Sequence, residues 1–115
     1  MNELHISGEL TMKPLEFIDN VVDSMESLLA MYAQGRHGGT WVGLKLDEIG
    51  LSGEQREQVL ALIRVVVGEA THSLICGIEG TSSLGQSQQT YKLLDEDGNV
   101  LTGELDALLY EKLEE

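Results

Sequence analysis

The sequence predicts one α+β domain over residues 1–115, with two long helices and a short C-terminal helix packed on a small antiparallel sheet. Three observations lead to this fold class. Apolar residues recur at helical spacing over two long segments, and the N-terminal residues 3–12 alternate with a period of two. Near the C-terminus, two short apolar runs flank the turn sequence DEDGN, a pattern typical of a β-hairpin. A chain of 115 residues is typical of a single domain, and no linker marks a second one.

The first elements are predicted to be a strand and a helix. Residues 3–12 alternate between apolar and other side chains, which is typical of a half-buried strand. Pro14 then suits a first helical turn, and apolar side chains repeat every three or four residues after it. This pattern indicates an amphipathic helix over about 14–34, which ends at Gly35. The alternating residues of the strand are Leu4, Ile6, Leu10 and Met12.

A glycine-rich connection over residues 35–52 follows the first helix. Leu44 and Leu46 indicate a short strand or a loose turn within it. Trp41, the only tryptophan, is predicted to cover the core, and a platform for a ligand is the alternative.

The second long helix is predicted over about 53–79. Ser52 and Gln55 form a capping-box start, and an unbroken helical period reaches the glycine at position 80. The alternative is a break near Gly68 followed by a strand, which the three consecutive valines at 65–67 favour. A helix that is apolar on most sides needs cover on most sides. We therefore predict that it is the central helix of the domain and lies partly in a homodimer interface.

The last segment is predicted as a hairpin over 89–102 and a closing helix over 104–115. The twelve residues LLDEDGNVLTGE (93–104) resemble the EF-hand loop, with Asp95, Asp97, Gly98 and Glu104 at matching positions. Leu93 replaces its first ligand, and a strand-like segment replaces the incoming helix. The sequence favours a hairpin turn, with a calcium loop as the alternative.

Residues 72–101 resemble a pattern found in small uncharacterised bacterial proteins. In that pattern a helix ends in an apolar-Cys-x-apolar-acid-Gly segment, and a hairpin strand follows. The resemblance rests on Cys76, Ile78, Glu79, Gly80 and Tyr91. It implies this topology and carries no chemistry.

The charge of the chain limits its partners. Twenty carboxylates face seven lysines and arginines, which gives a net charge of −13. Such a charge disfavours nucleic acid and anionic membranes and favours a basic protein partner. The sequence contains no run of about 18 uninterrupted apolar residues, so it predicts no membrane span. A single cysteine excludes an intrachain disulfide, and with no signal-like N-terminus we predict a cytoplasmic protein.

Two groups of residues are candidate binding sites. Glu69, His72, Cys76 and Glu79 lie on one stripe of the second long helix, and Glu-x-x-His on a helix is a metal-ligand unit. A helix flank without a metal is the simpler interpretation. The loop over Arg36–Gly39 places a cation and the imidazole of His37 on flexible backbone, near Trp41. Such a loop is typical of a site for an anionic ligand, and it is equally typical of an ordinary helix end, where a cation complements the helix dipole.

The sequence contains no convincing catalytic set and indicates no cofactor. We therefore predict a small, non-enzymatic protein-interaction module of the immunity or inhibitor type, with a basic partner. The alternative is a protein that binds a small ligand or a metal through the helix stripe or the Arg36–Gly39 loop.

Overall fold

The computed structural model describes the backbone of residues 3–115 and the side chains of residues 13–115. Its helices are α1 (Glu3–Ala33), a 3-10 turn (Gly35–Gly38), α2 (Trp41–Ile49), α3 (Gly53–Glu79) and α4 (Leu105–Glu114). The predicted α+β class is wrong, because residues 3–115 contain no β-strand and form an all-α structure. The β-pairing described consists of two isolated antiparallel bridges, Leu84–Ser87 and Leu94–Val100.

The predicted N-terminal strand lies inside α1. Residues 3–12 form the first turns of this helix, which continues through Pro14 although proline lacks the N–H for one helical hydrogen bond. Extending an existing helix costs far less than nucleating one. A short alternation that Gly8 interrupts is too weak a signal to resist extension of the strongly periodic helix beside it.

The predicted connection over 35–52 contains a helix that the sequence interpretation missed. Thr40 has extended backbone and its hydroxyl accepts the N–H of Gly43 at 2.9 Å, which caps the start of α2. Gly50 ends α2 in a left-handed conformation with φ of 73°. A cap and a glycine stop only nine residues apart define a helix too short for a clear period.

The prediction of one long second helix is confirmed by α3. The capping box forms: Gln55 N–H donates to Ser52 Oγ at 3.2 Å, and Ser52 N–H donates to Gln55 Oε1 at 3.1 Å. Helix α3 runs through Gly68 without a break, and Gly80 follows it with φ of 81°. By length and composition alone, α3 is also the one described helix apolar enough to cross a membrane.

The chain groups into two compact units, and α1 and α3 each contribute to both. Unit 1 comprises Met1–Val22 and Ala70–Glu115, and unit 2 comprises Asp23–Glu69. The core of unit 1 is formed by Ile18, Ile75, Leu105 and Leu109, against which Phe17, Val22, Ile78, Leu93, Leu108 and Leu113 pack. In unit 2 the buried large side chains are Met25, Leu29 and Leu46.

The predicted hairpin is a single closed turn without strands. Leu101 N–H donates to the Leu93 carbonyl at 2.8 Å, and Leu94 bridges to Val100. An isolated pair of short strands is marginal in water, and no third strand is available among residues 3–115 to extend it. Leu93 instead packs against the helical core of unit 1.

Candidate functional site

The stripe on α3 is where α4 docks in unit 1. Glu79 accepts the backbone N–H of Gly103 and of Leu105 at 2.8–2.9 Å, at the start of α4. His72 Nε2 lies 3.2 Å from the carbonyl of Asp106 in the first turn of α4. Because a carbonyl only accepts hydrogen bonds, this contact is a hydrogen bond in the tautomer of His72 that carries its proton on Nε2. The polar atoms of Glu79 and His72 therefore join α3 to the start of α4.

Cys76 lies beside His72 without the geometry of an activated thiol. Its Sγ is 3.7 Å from both ring nitrogens of His72, so it is not aligned with the lone pair of either one. A thiolate–imidazolium pair needs such alignment. The His72 ring also packs against Tyr110 of α4, with centroids 6.0 Å apart. Glu69 is exposed and belongs to unit 2.

The loop that resembles an EF-hand satisfies its first carboxylate internally. Asp95 Oδ1 accepts the N–H of Asp97 at 3.0 Å and of Asn99 at 2.9 Å, and Oδ2 accepts from Asn99 Nδ2 at 2.9 Å. These bonds, the Asn99 side chain first, lower the pKa of Asp95. Among the described residues, no three His, Cys, Asp or Glu side chains are grouped to hold a metal ion.

Unit 2 has a very different charge from unit 1. It contains all three arginines and one lysine against seven carboxylates, a net charge of −3. Unit 1 contains three lysines against thirteen carboxylates, a net charge of −10. The acidity of the chain is therefore concentrated in unit 1, and unit 2 is close to electrically balanced.

Asp47 joins several elements of unit 2. Its Oδ2 accepts the backbone N–H of Arg36 at 2.8 Å and lies 3.4 Å from Arg36 Nε, while its Oδ1 accepts from Arg56 Nη1 at 3.1 Å. The Arg36 backbone N–H is the first cause of the lowered pKa of Asp47. Arg56 also reaches the carbonyl of Ala33 at the end of α1. One carboxylate thus connects the 3-10 turn, α2 and α3.

Trp41 stands at the first position of α2 with 87% of its surface exposed. The prediction that it covers the core is wrong, because the Thr40 cap fixes the start of α2 and the buried side of this helix is formed by Gly43 and Leu46. An open pocket of about 220 Å³ adjoins the indole. The pocket is lined by Arg36, Gly39, Thr40, Trp41 and Leu44.

The structure brings two predicted site residues, Arg36 and Trp41, to this pocket. The Arg36 side chain stays 66% exposed although Asp47 orients it. His37 is exposed in the 3-10 turn and does not line the pocket. Gly39 has φ of 73°, and a Cβ there would meet nothing within 4 Å, so the pocket is open on that side. The sequence interpretation missed Thr40 and Leu44, although the Thr-x-x-Gly cap was a usable signal.

A second concave surface of unit 2 lies between α1 and α3. It is a groove of about 400 Å³. Arg64 at its edge binds Glu26 with two hydrogen bonds of 2.6 and 3.0 Å. This contact lowers the pKa of Glu26 and raises that of Arg64. The groove is lined by Glu26, Leu29, Ala30, Ala33, Glu57, Leu60, Ala61 and Arg64.

Comparisons with protein-family models, with curated proteins and with solved structures gave no match to this chain.

Proposed function

We propose that this protein is a non-enzymatic protein-interaction module of the immunity or inhibitor type, and that it binds a basic protein. The observation that carries the proposal is the exposure of Trp41, 87%, beside an open pocket. Tryptophan is strongly enriched among the few residues that dominate binding energy at protein interfaces. Its large apolar surface gains most when a partner removes it from water.

The charge of the chain supports a basic partner at longer range. A net charge of −13 attracts a basic protein during diffusional encounter and raises the association rate. The pocket itself is close to neutral, because Asp47 pairs with the nearby Arg36 and with Arg56. Charge therefore controls the rate of association, and burial of Trp41 controls the rate of dissociation.

The experiment begins with proteins retained by the immobilised full chain from its own cell extract. The most enriched basic protein is then produced separately and titrated against wild type and Trp41→Ala by surface-based kinetics. We expect Trp41→Ala to weaken affinity about 30-fold, mainly through faster dissociation, which corresponds to about 2 kcal/mol. Tyr110→Ala, an exposed aromatic residue of unit 1, is the matched control and should bind within about twofold of wild type.

Two results would contradict this proposal. Equal affinity of wild type and Trp41→Ala would mean that Trp41 does not anchor the partner. An association rate that stays constant between about 50 mM and about 500 mM salt would exclude steering by charge.

A second candidate function is the binding of a small anionic ligand. The pocket beside Trp41 favours it, because the exposed Arg36 guanidinium and the indole line the same cavity. At about 220 Å³ the cavity is smaller than the usual ligand site of about 300 Å³ or more. Titration with benzoate tests it: saturable quenching of Trp41 fluorescence that Arg36→Gln abolishes would support this candidate, and a linear response would exclude this ligand class.

A further inference from the structure

The groove between α1 and α3 in unit 2 is separate from the pocket beside Trp41. We infer that it accepts a basic amphipathic helix of a partner protein. The inference rests on the proposed function, because it names the element of the partner that unit 2 recognises. It differs from that proposal in its site, since none of the groove residues lines the pocket beside Trp41.

The floor of the groove is apolar and formed mostly by small side chains. Ala30 and Ala33 stand three residues apart on α1, so they share one face, and Ala61 of α3 lines the same groove. Leu29 is buried beneath it. Alanines between two helices leave space for the side chains of a third helix, which is how amphipathic helices bind in grooves.

The edge of the groove carries net negative charge. Among the described residues that line it, Arg64 is the one cation, and Glu26 binds it with both carboxylate oxygens. The carboxylate of Glu57 therefore remains as the net charge of this surface. A lysine or arginine beside the apolar stripe of a partner helix would complement it.

An exposed apolar face of α3 adjoins the groove and gives a longer helix more surface to contact. Val65 stands one turn beyond Ala61, and Leu62 lies three residues before Val65. Their side chains are 55% and 61% exposed, respectively. A second copy of this chain would also carry a net charge of −13 and would add like charge to an acidic edge. Charge thus favours a basic helix over self-association.

The probe is a synthetic amphipathic peptide of about 18 residues, five helical turns, with a leucine stripe flanked by lysines. Its partner peptide has glutamates in place of the lysines. Binding to the full chain is measured by fluorescence anisotropy. We expect saturable binding of the lysine peptide at about 50 mM salt and at least tenfold weaker binding of the glutamate peptide.

Three variants locate the binding site. Ala30→Leu fills the groove without changing charge and should weaken binding at least tenfold at low and high salt. Glu57→Lys should weaken it mainly at low salt. Glu96→Lys makes the same change of charge in an exposed turn of unit 1 and should bind within about threefold of wild type. A thermal melt of each variant confirms that it is folded.

Three results would overturn the inference. The first is equal binding of the two peptides, and the second is binding that neither Ala30→Leu nor Glu57→Lys weakens. The third is a wild-type dimer in sedimentation that Ala30→Leu dissociates, since the groove would then be occupied by a second copy. The Trp41 proposal has a separate readout, because it is tested by the affinity of Trp41→Ala for the basic partner, whereas these outcomes concern peptide binding and self-association at the groove.

Discussion

Glu79, the last residue of α3, accepts the backbone N–H of Leu105, the first residue of α4, at 2.8 Å through Oε2. Both of its oxygens also accept the N–H of Gly103 at 2.8–2.9 Å. Glu104, at the N-cap position itself, makes no side-chain capping bond. The cap of α4 therefore comes from a residue 26 positions before Leu105. The negative charge of Glu79 also interacts favourably with the positive N-terminal end of the helix dipole. Formation of α4 is coupled to the end of α3.

Removal of this cap should destabilise the protein. We expect Glu79→Ala to lower the free energy of unfolding by about 1–2 kcal/mol, because the N–H groups at the start of α4 lose their acceptor. Glu79→Gln retains one carbonyl oxygen and should cost less. The measurement is urea unfolding, and Glu69→Ala, an exposed glutamate of the same helix, should stay within about 0.5 kcal/mol of wild type. Equal midpoints for Glu79→Ala and Glu69→Ala would contradict this role.

The caps of α3 and α4 show what the sequence predicts and what it cannot. The Ser52–Gln55 box lies within four consecutive residues, so its pattern is visible in the sequence and correctly predicts the start of α3. The cap of α4 depends on folding two distant segments together, and no local pattern reveals it. The same applies to two residues of the α3 stripe: helical spacing places His72 and Glu79 on one face, but only the position of α4 shows what their polar atoms bind.

Among the surface carboxylates of unit 2, Asp47 should be the one whose substitution destabilises the protein most. Asp47→Ala removes the acceptor of the Arg36 backbone N–H and of two guanidinium groups, which reduces the attachment of the 3-10 turn and α3 to α2. We expect a clear fall in melting temperature. Glu48→Ala, which loses only an exposed contact of 3.7 Å with Lys45, should melt close to wild type. A similar melting temperature for both variants would show that the Asp47 contacts do not stabilise the fold.

Acid should lower the folding stability of the protein through protonation of Asp47. The Arg36 backbone N–H, followed by contacts with the Arg36 and Arg56 side chains, lowers the pKa of Asp47 below its ordinary value of 3.8. The folded chain then binds this proton less tightly than the unfolded chain does. Its contribution to stability is therefore complete above pH 3.8 and is lost as the pH falls through the lower folded pKa. Unfolding measured from pH 7 downward should show a shallower acid loss for Asp47→Asn than for wild type, and parallel curves would contradict this assignment.

The close approach of α2 to the 3-10 turn should forbid a side chain at Gly43. A Cβ at this position would overlap the carbonyl oxygen of Gly35, so the backbone would have to move. We expect Gly43→Ala to destabilise the protein by about 1–3 kcal/mol, measured by urea unfolding. Gly53→Ala at the start of α3 meets nothing within 4 Å and should be neutral or stabilising by up to about 1 kcal/mol. A neutral Gly43→Ala would contradict the contact.

The wrong predictions share a physical cause, which is that short patterns are overridden by their neighbours. The apolar residues at 89–102 suit a hairpin locally, but Leu93 is partly buried against the core of unit 1 and Leu101 is buried, and no sheet forms around them within residues 3–115. The residue type predicts that Trp41 lies in the core, whereas the Thr40 cap determines where α2 begins and so leaves the indole exposed. A prediction from hydrophobicity alone therefore places in the core the side chain that is the most exposed large apolar one in residues 13–115.

Because Trp41 is the only tryptophan, its fluorescence reports directly on the proposed interaction surface. With 87% of its surface exposed, it should emit at the long wavelength of a hydrated indole and be quenched by acrylamide almost as efficiently as free tryptophan. Unfolding in urea should change the emission wavelength little, since water already surrounds the ring.

Binding of the basic partner should shift Trp41 emission to shorter wavelength and protect it from acrylamide. Trp41→Tyr, which keeps an exposed aromatic ring, controls for emission from other residues. Short-wavelength emission from the isolated protein that unfolding moves to long wavelength would mean that Trp41 is covered in solution.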